Sequence, residues 1–177
     1  MITLAEAKAQ LQITHSDDDD FITALLAAAV EVVEGYTHRV TGEADKTLTL
    51  DCFSEEMELP HAPVSQVAAV KYYDEAGDQQ TLDQAEYFVD GSELFTKVRR
   101  GFGSAWPVVQ AGYGKVSIEY KAGYAPGSEP APLKQAALML LASLYEQREN
   151  HITGVMASSV PVSAQFLMQP YRIPVAG

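Results

Sequence analysis

Apolar positions along this chain change their period twice. Thr3-Leu4-Ala5-Glu6 opens with a hydroxyl three residues before a carboxylate, the spacing of a capping box. Leu4, Ala7 and Leu11 follow at helical spacing, and Gln12-Ile13-Thr14-His15-Ser16 breaks the pattern. The run Asp17-Asp18-Asp19-Asp20 then leads into Phe21, Ile22, Leu25, Leu26, Ala29, Val32, Val33 and Tyr36, which repeat on one helical face. Carboxylates before and in a first turn favour the positive end of the helix dipole. Gly35 and Thr37 mark the end of this second helix. From about Lys46 to Gly123 the pattern shortens to strands: Thr47-Leu50, Val67-Tyr73, Gln80-Leu82, Tyr87-Val89, Lys97-Arg99 and Val116-Tyr120. Asp74-Glu75-Ala76-Gly77-Asp78 reads as a hairpin turn, and glycines and prolines punctuate the rest. Helical spacing returns after Pro132, which suits a first helical turn, and continues from about Leu133 to Asn150. Ala136 to Ala142 is apolar throughout, and Met139 points away from the main stripe. A helix apolar all round is buried all round. A loop rich in small residues, a short helix from Ser163 to Met168, and an extended Tyr171-Arg172-Ile173-Pro174 complete the chain.

The architecture this predicts is α+β and mainly helical: a small helical bundle with an inserted antiparallel β region. It reads as a single domain, 1–177. Residues 1–40 give the N-terminal helices, 46–123 the β-rich insertion, 130–150 the long helix, and 151–177 a C-terminal arm.

Charge narrows the choice of partners. The chain carries 24 acidic and 12 basic side chains, a formal net charge of -12. Such a chain repels a polyanion, which argues against a transcription factor. Arg99 and Arg100 are an adjacent basic pair, too little for a nucleic-acid patch. A hydrophobic fraction of 47% supplies a real core, so global disorder is not expected. There is no apolar run long enough for a membrane span, and the N-terminus does not read as a signal peptide. A lone cysteine, Cys52, excludes an intrachain disulfide and reads as a small buried or half-buried filler.

A search for chemistry finds none. His15, His38, His61 and His151 share no metal-ligand spacing and read as surface or capping residues. The acidic run lacks the alternating ligands, central glycine and terminal glutamate of a calcium loop. No serine has a nucleophile elbow around it. Gly101-Phe102-Gly103 lacks the third glycine and the strand-then-helix setting of a dinucleotide site. Trp106-Pro107 reads as a loop anchor on the sheet. No catalytic residue, cofactor site or metal site is expected, and the chain is not expected to be an enzyme.

Several segments, in order, resemble the head–tail connector (adaptor) family of tailed bacteriophages and prophages. They are Ile2-Thr3-Leu4-Ala5-Glu6-Ala7-Lys8, Asp17–Asp20 running into Phe21–Ala29, and Glu34-Gly35-Tyr36-Thr37-His38-Arg39. Leu59-Pro60-His61-Ala62-Pro63-Val64 is similar to the family's proline-flanked lead into the sheet, and Gly103-Ser104-Ala105-Trp106-Pro107 to its tryptophan–proline loop. Tyr120–Tyr124, Pro130–Ala136, Tyr145–Glu149 and Pro170-Tyr171-Arg172 also match.

The resemblance implies a structural virion protein: a ring subunit that docks on the portal and joins the DNA-filled head to the tail. Its partners would be copies of itself, the portal, and a tail or stopper protein. DNA would pass through the channel without tight binding, and no membrane is involved. The protein would reside in the virion neck, after a stage in the host cytoplasm. A ring uses head-to-tail contacts and needs two unlike sticky faces. Met139, Tyr171, Arg172 and Ile173 are the candidate interface residues, with the tail expected to be loose until a neighbour orders it. Two other readings stay open. One is a different neck part, a stopper or tail-completion protein. The other is a carboxylate-dependent hydrolase, which a pocketed acid pair of perturbed acidity would mark.

Overall fold

The computed structural model describes residues 2–91, 95–146 and 160–174. They form two compact units: Met1–Thr41 with Pro126–Gly177, and Gly42–Ala125. The element order is α1 (Leu4–Leu11), α2 (Asp19–Thr37), β1 (Ala44–Leu50), β2 (Glu56–Leu59), β3 (Val64–Tyr73), β4 (Gln79–Thr81), β5 (Tyr87–Gly91), β6 (Thr96–Arg100), β7 (Val116–Ala122), α3 (Ala131–Glu146) and α4 (Val162–Met168). Residues 147–150, expected in the long helix, lie outside the described residues, as do His151 and most of the following loop.

The mainly helical bundle expected from the sequence is overturned. Seven strands in two antiparallel sheets give the described residues a sheet-rich fold, and the four helices are short of a dominant bundle. The physical reason is that strands pair over long sequence distances, so short runs with weak alternation add up to whole sheets. Glu56-Met57-Glu58-Leu59 shows this: framed by acids, it gives little strand signal, yet it pairs in register with β6.

The first unit is helical. Thr3 caps α1 with the full box: its hydroxyl accepts from the Glu6 amide at 3.3 Å, and Glu6 accepts from the Thr3 amide at 2.9 Å. Gln12 ends the helix in the left-handed region. The acidic run behaves differently from a simple cap. Asp19 and Asp20 occupy the first turn of α2, but Asp18 makes no side-chain cap and instead accepts from the Tyr145 hydroxyl at 2.8 Å. Asp19 pairs with Lys8 at 2.7 Å. The run therefore ties α1 and α3 to α2. Helix α3 packs against α1, α2 and α4. Its residues Leu133, Ala136, Ala137, Leu138, Leu140 and Leu141 are buried, which is how one subunit covers a helix apolar on most sides.

The second unit contains both sheets. The larger has strand order β1-β7-β3-β4 and the smaller β2-β6-β5. Along β7, Val116, Ile118, Tyr120 and Ala122 are buried and alternate with half-buried Ser117, Glu119 and Lys121. Register places Leu48 and Val70 on either side of Ile118, so each apolar row crosses the sheet. In the smaller sheet Met57 and Val98 form the buried face. The opposite face carries the rows Glu56–Arg99–Phe88 and Glu58–Lys97–Asp90. The expected hairpin turn joins β3 to β4, with Gly77 at φ 91 and its amide donating to the Asp74 carbonyl at 2.9 Å.

Two positions depart from the sequence reading. Cys52 is exposed rather than buried, because the chain leaves β1 before reaching it. His61, in the bend between β2 and β3, is half-buried, and its ring nitrogen lies 2.7 Å from the Tyr120 hydroxyl, so it is hydrogen-bonded to the sheet rather than a free surface residue. Burial, with Lys46 nearby, holds its pKa below the ordinary histidine value.

Two predictions follow from this packing. Gly123 has φ 99, and a Cβ there would collide with the Gly42 carbonyl. Gly123→Ala therefore strains the backbone and should destabilise the protein by about 2 kcal/mol or more, read as a lower denaturant midpoint; an unchanged midpoint refutes the close approach. Glu6 is held at a pKa of about 2, below its ordinary 4.5, by the Lys134 ammonium and the bonds of the capping box. A carboxylate depressed in the folded state stabilises it fully above pH 4.5 and loses that contribution as pH falls toward 2. The stability difference between wild type and Glu6→Gln should shrink across that window in acid titrations.

Candidate functional site

Among the described residues no group of three or more His, Cys, Asp or Glu is placed to hold a metal. Among them, too, no helix is long and apolar enough to cross a membrane. A shallow, open hollow on the smaller sheet is lined by Glu55, Glu56, Phe88, Arg99 and Arg100. Its carboxylate Glu56 is bound by Lys97 at 2.8 Å and by Arg99 at 2.8 Å. The Lys97 hydrogen bond holds the Glu56 pKa low and raises that of Lys97. Glu6 and Asp74 are also lowered, Asp74 chiefly by the Gln80 side chain. A general acid needs a raised carboxyl pKa, so these groups are poised as permanent anions.

The candidate contact residues divide by position. Met139 lies on α3 and is half-buried. Ile173 is buried at 8% exposure, and its amide donates to the Thr37 carbonyl at 2.9 Å. Arg39, 4% exposed at the end of α2, donates from Nε to the Tyr171 carbonyl at 2.6 Å. The Arg172 guanidinium lies 5.5 Å from the centre of the Tyr36 ring. The structure therefore brings Tyr171, Arg172 and Ile173 together on the C-terminal end of α2, and leaves Met139 apart from them on α3. The expectation of a loose arm is corrected for residues 160–174. Ala164 and Met168 of α4 are fully buried, and the strand-like end is hydrogen-bonded to α2. Carbonyls at a helix C-terminus lack intrahelical partners, and the returning chain supplies one for Thr37.

Other exposed apolar residues were missed by the sequence reading. On α4, Val162 and Phe166 are 79% and 75% exposed, one turn apart and opposite the buried pair. In the β6–β7 loop, Phe102, Val108 and Tyr113 are exposed. The base of that loop is fixed. Trp106 stacks on Phe53 at 4.7 Å, and Phe53 meets Tyr72 edge-on at 5.7 Å. The Gln110 amide donates to the Tyr73 carbonyl at 2.9 Å, and the Gly114 amide to the Asp51 carboxylate at 2.8 Å. Trp106 is thus the loop anchor its sequence setting implied.

The chain belongs to the head completion protein family, whose model matches residues 1–165. The resemblance to phage connector proteins is thereby borne out. The fold is similar to a chain from the neck of an empty gene transfer agent (GTA) particle computed with C6 symmetry, at 24% identity and TM-score 0.81, covering 99% of this chain and 91% of that one. A chain from the neck of a native GTA particle computed with C12 symmetry is 25% identical with TM-score 0.78, covering 98% and 89%. A chain from the virion of a native GTA particle is 23% identical with TM-score 0.79, covering 99% and 91%. No curated protein matches the chain.

The packed tail yields a prediction. Ile173→Ala should cost about 2 kcal/mol, the low end for a buried isoleucine, lowering Tm by roughly 4–8 °C. Removing Tyr171 to Gly177 should cost more, because the buried Arg39 then loses the Tyr171 carbonyl. Calorimetry of both variants checks this; unchanged melting would restore the loose arm.

Proposed function

We propose that this protein is a structural ring subunit of a virion neck, an adaptor that docks on the portal and joins the DNA-filled head to the tail. The observation that carries the reading is the head completion family match over residues 1–165, joined to a fold shared with GTA neck chains over nearly all of this chain. The chemistry agrees: its shifted carboxylates are stabilised as anions, and the role needs surfaces rather than catalysis. Ring formation fits neck particles computed with C6 and C12 symmetry. The partners in this reading are copies of the same chain, the portal, and a tail or stopper protein. The protein waits in the host cytoplasm and ends in the neck. A net charge of -12 suits a ring through which DNA passes without tight binding. Half-exposed Met139 and Tyr171 and exposed Arg172 remain available to neighbours, whereas Ile173 serves the subunit's own packing.

Loss of the protein should yield DNA-filled heads without tails, and supplying it in trans should restore tailed particles, both scored by electron microscopy. Normal tailed particles in its absence would refute the role. The purified protein should give no gel shift with duplex DNA at moderate salt; a tight, salt-sensitive shift would reopen a nucleic-acid role.

A further inference from the structure

Two stretches of more than twenty residues lack acids, Phe95–Ile118 and Asn150–Gly177, and the second carries Arg172 as its one Lys or Arg. Phe95 to Ile118 contains no Asp or Glu but has Lys97, Arg99, Arg100 and Lys115, a formal +4. All 24 acids and the other 8 bases lie outside it, so the remainder carries -16. This stretch comprises β6, the β6–β7 loop and the start of β7.

Its cations are not equivalent. Lys97 and Arg99 are held by Glu56, with Arg99 also 3.4 Å from Asp90. Lys115 donates to Gln110 at 2.7 Å and lies over the Tyr73 ring. Arg100 is exposed at the head of the loop and forms no ion pair with the described residues. Two residues on, Phe102 is fully exposed, and Tyr113 is 91% exposed near the loop's other end. Single exposed apolar residues are ordinary. Here two aromatic rings lie on one loop and a guanidinium without an ion pair ends the strand before it; the loop's base is fixed by the Trp106–Phe53 stack and by Gly101, whose amide donates to the Glu86 carbonyl at 2.7 Å. Gly101 is also pressed so closely on the Glu86 carbonyl that a Cβ would crowd it. A fixed base presents the side chains without a large ordering cost on contact. Aromatic rings and arginine are the residue types that dominate binding energy at interfaces.

We propose that the β6–β7 loop, with Arg100, Phe102 and Tyr113 at its contact surface, is the finger by which one copy of this chain docks on the next. The inference rests on the neck-ring reading and names the contact that builds the ring. Charge chooses the occupant: a cationic aromatic finger fits an acidic surface, and a second copy supplies one with a net -16 outside the finger itself. Such a contact is head-to-tail, finger to acidic face, as a closed ring requires.

The test places the photoreactive p-benzoylphenylalanine at residue 102 or, separately, at residue 113 of the full chain, in cells assembling particles. Irradiated particles are then analysed by mass spectrometry. The expected product has twice the 19.2 kDa chain mass, with both linked peptides from this chain. Adding Arg100→Glu should lower its yield about tenfold, the effect of losing one dominant interface arginine, and should leave the melting temperature unchanged. Links from both positions to a different virion chain, or particles containing the variants with no link, overturn the finger while leaving the neck reading intact. If either variant is kept out of particles while wild type enters, self-linking is read on the purified protein at high concentration, where its absence also overturns the proposal. Absence of the wild-type protein from purified particles overturns both readings.

Discussion

The chain leaves its helical unit once and must come back at the same place. Residues 42–125 are inserted between two stretches that pack as one helical unit, so the outgoing and returning strands have to be neighbours. The pairing of β1 with β7 meets that constraint directly: Ala44 is opposite Ala122, at the point where each strand joins the other unit's sequence. Side chains at this junction would hold the two backbones apart. Gly123, where a Cβ would meet the Gly42 backbone, lets them approach and adopts a left-handed conformation that other residues resist. Its amide also donates to the Pro63 carbonyl at 2.7 Å, which links β3 to the same junction. The central strand β7 is thereby fixed between β1 and β3, and the larger sheet is built outward from it.

The same logic of return governs the helical unit. Helix α3 arrives after the insertion and is apolar on most sides, so it needs neighbours from both earlier and later sequence. Helices α1 and α2 supply one set and α4 the other. Lys134 on α3 reaches Glu6 on α1 at 2.5 Å, closing the first contact with an ion pair at its rim. Residues 171–173 close the last one on α2, where the Thr37 and Tyr171 carbonyls find donors. An apolar stripe wider than one helix can cover has been satisfied within a single chain, so an all-round apolar sequence is not by itself a sign of self-association.

Local signals in the sequence were legible and non-local ones were not. The capping box at Thr3, the stop at Gln12, the Asp74–Asp78 turn and the Trp106 anchor each depend on residues close in sequence, and each is found in the structure. The partition into two sheets depends on pairing across tens of residues, which alternation alone does not specify. That is why β2 was missed and the helical share overstated. The acidic run illustrates a mixed case. Its place at a helix start was readable, but the partners of Asp18 and Asp19 come from α3 and α1 and only the fold reveals them. The contact surface was least legible. Tyr171 and Ile173 looked exposed because they are near the end of the chain, yet a terminus tied to a helix end has carbonyl partners to gain and apolar area to bury. Conversely, Phe102 was hidden in a glycine pair that read as a failed nucleotide motif, and Tyr113 lay among glycines read only as punctuation. The absence of acids together with four cations from Phe95 to Ile118 was visible in the sequence throughout and separates that stretch from the equally acid-free Asn150–Gly177.

Charge segregation is where the fold and the assembly meet. A protein with net charge -12 repels copies of itself at long range, which keeps free subunits apart before assembly. A ring nevertheless requires identical acidic chains to stay in contact. Uniform acidity would oppose every such contact, so a ring of acidic subunits needs one cationic patch per chain, placed where it meets a neighbour rather than its own acids. Lys97 and Arg99 are neutralised within the small sheet and cannot serve. Arg100, at the end of the same strand, lines the same hollow as Glu55, Glu56 and Arg99 but forms no ion pair with the described residues, and the following loop exposes aromatic rings.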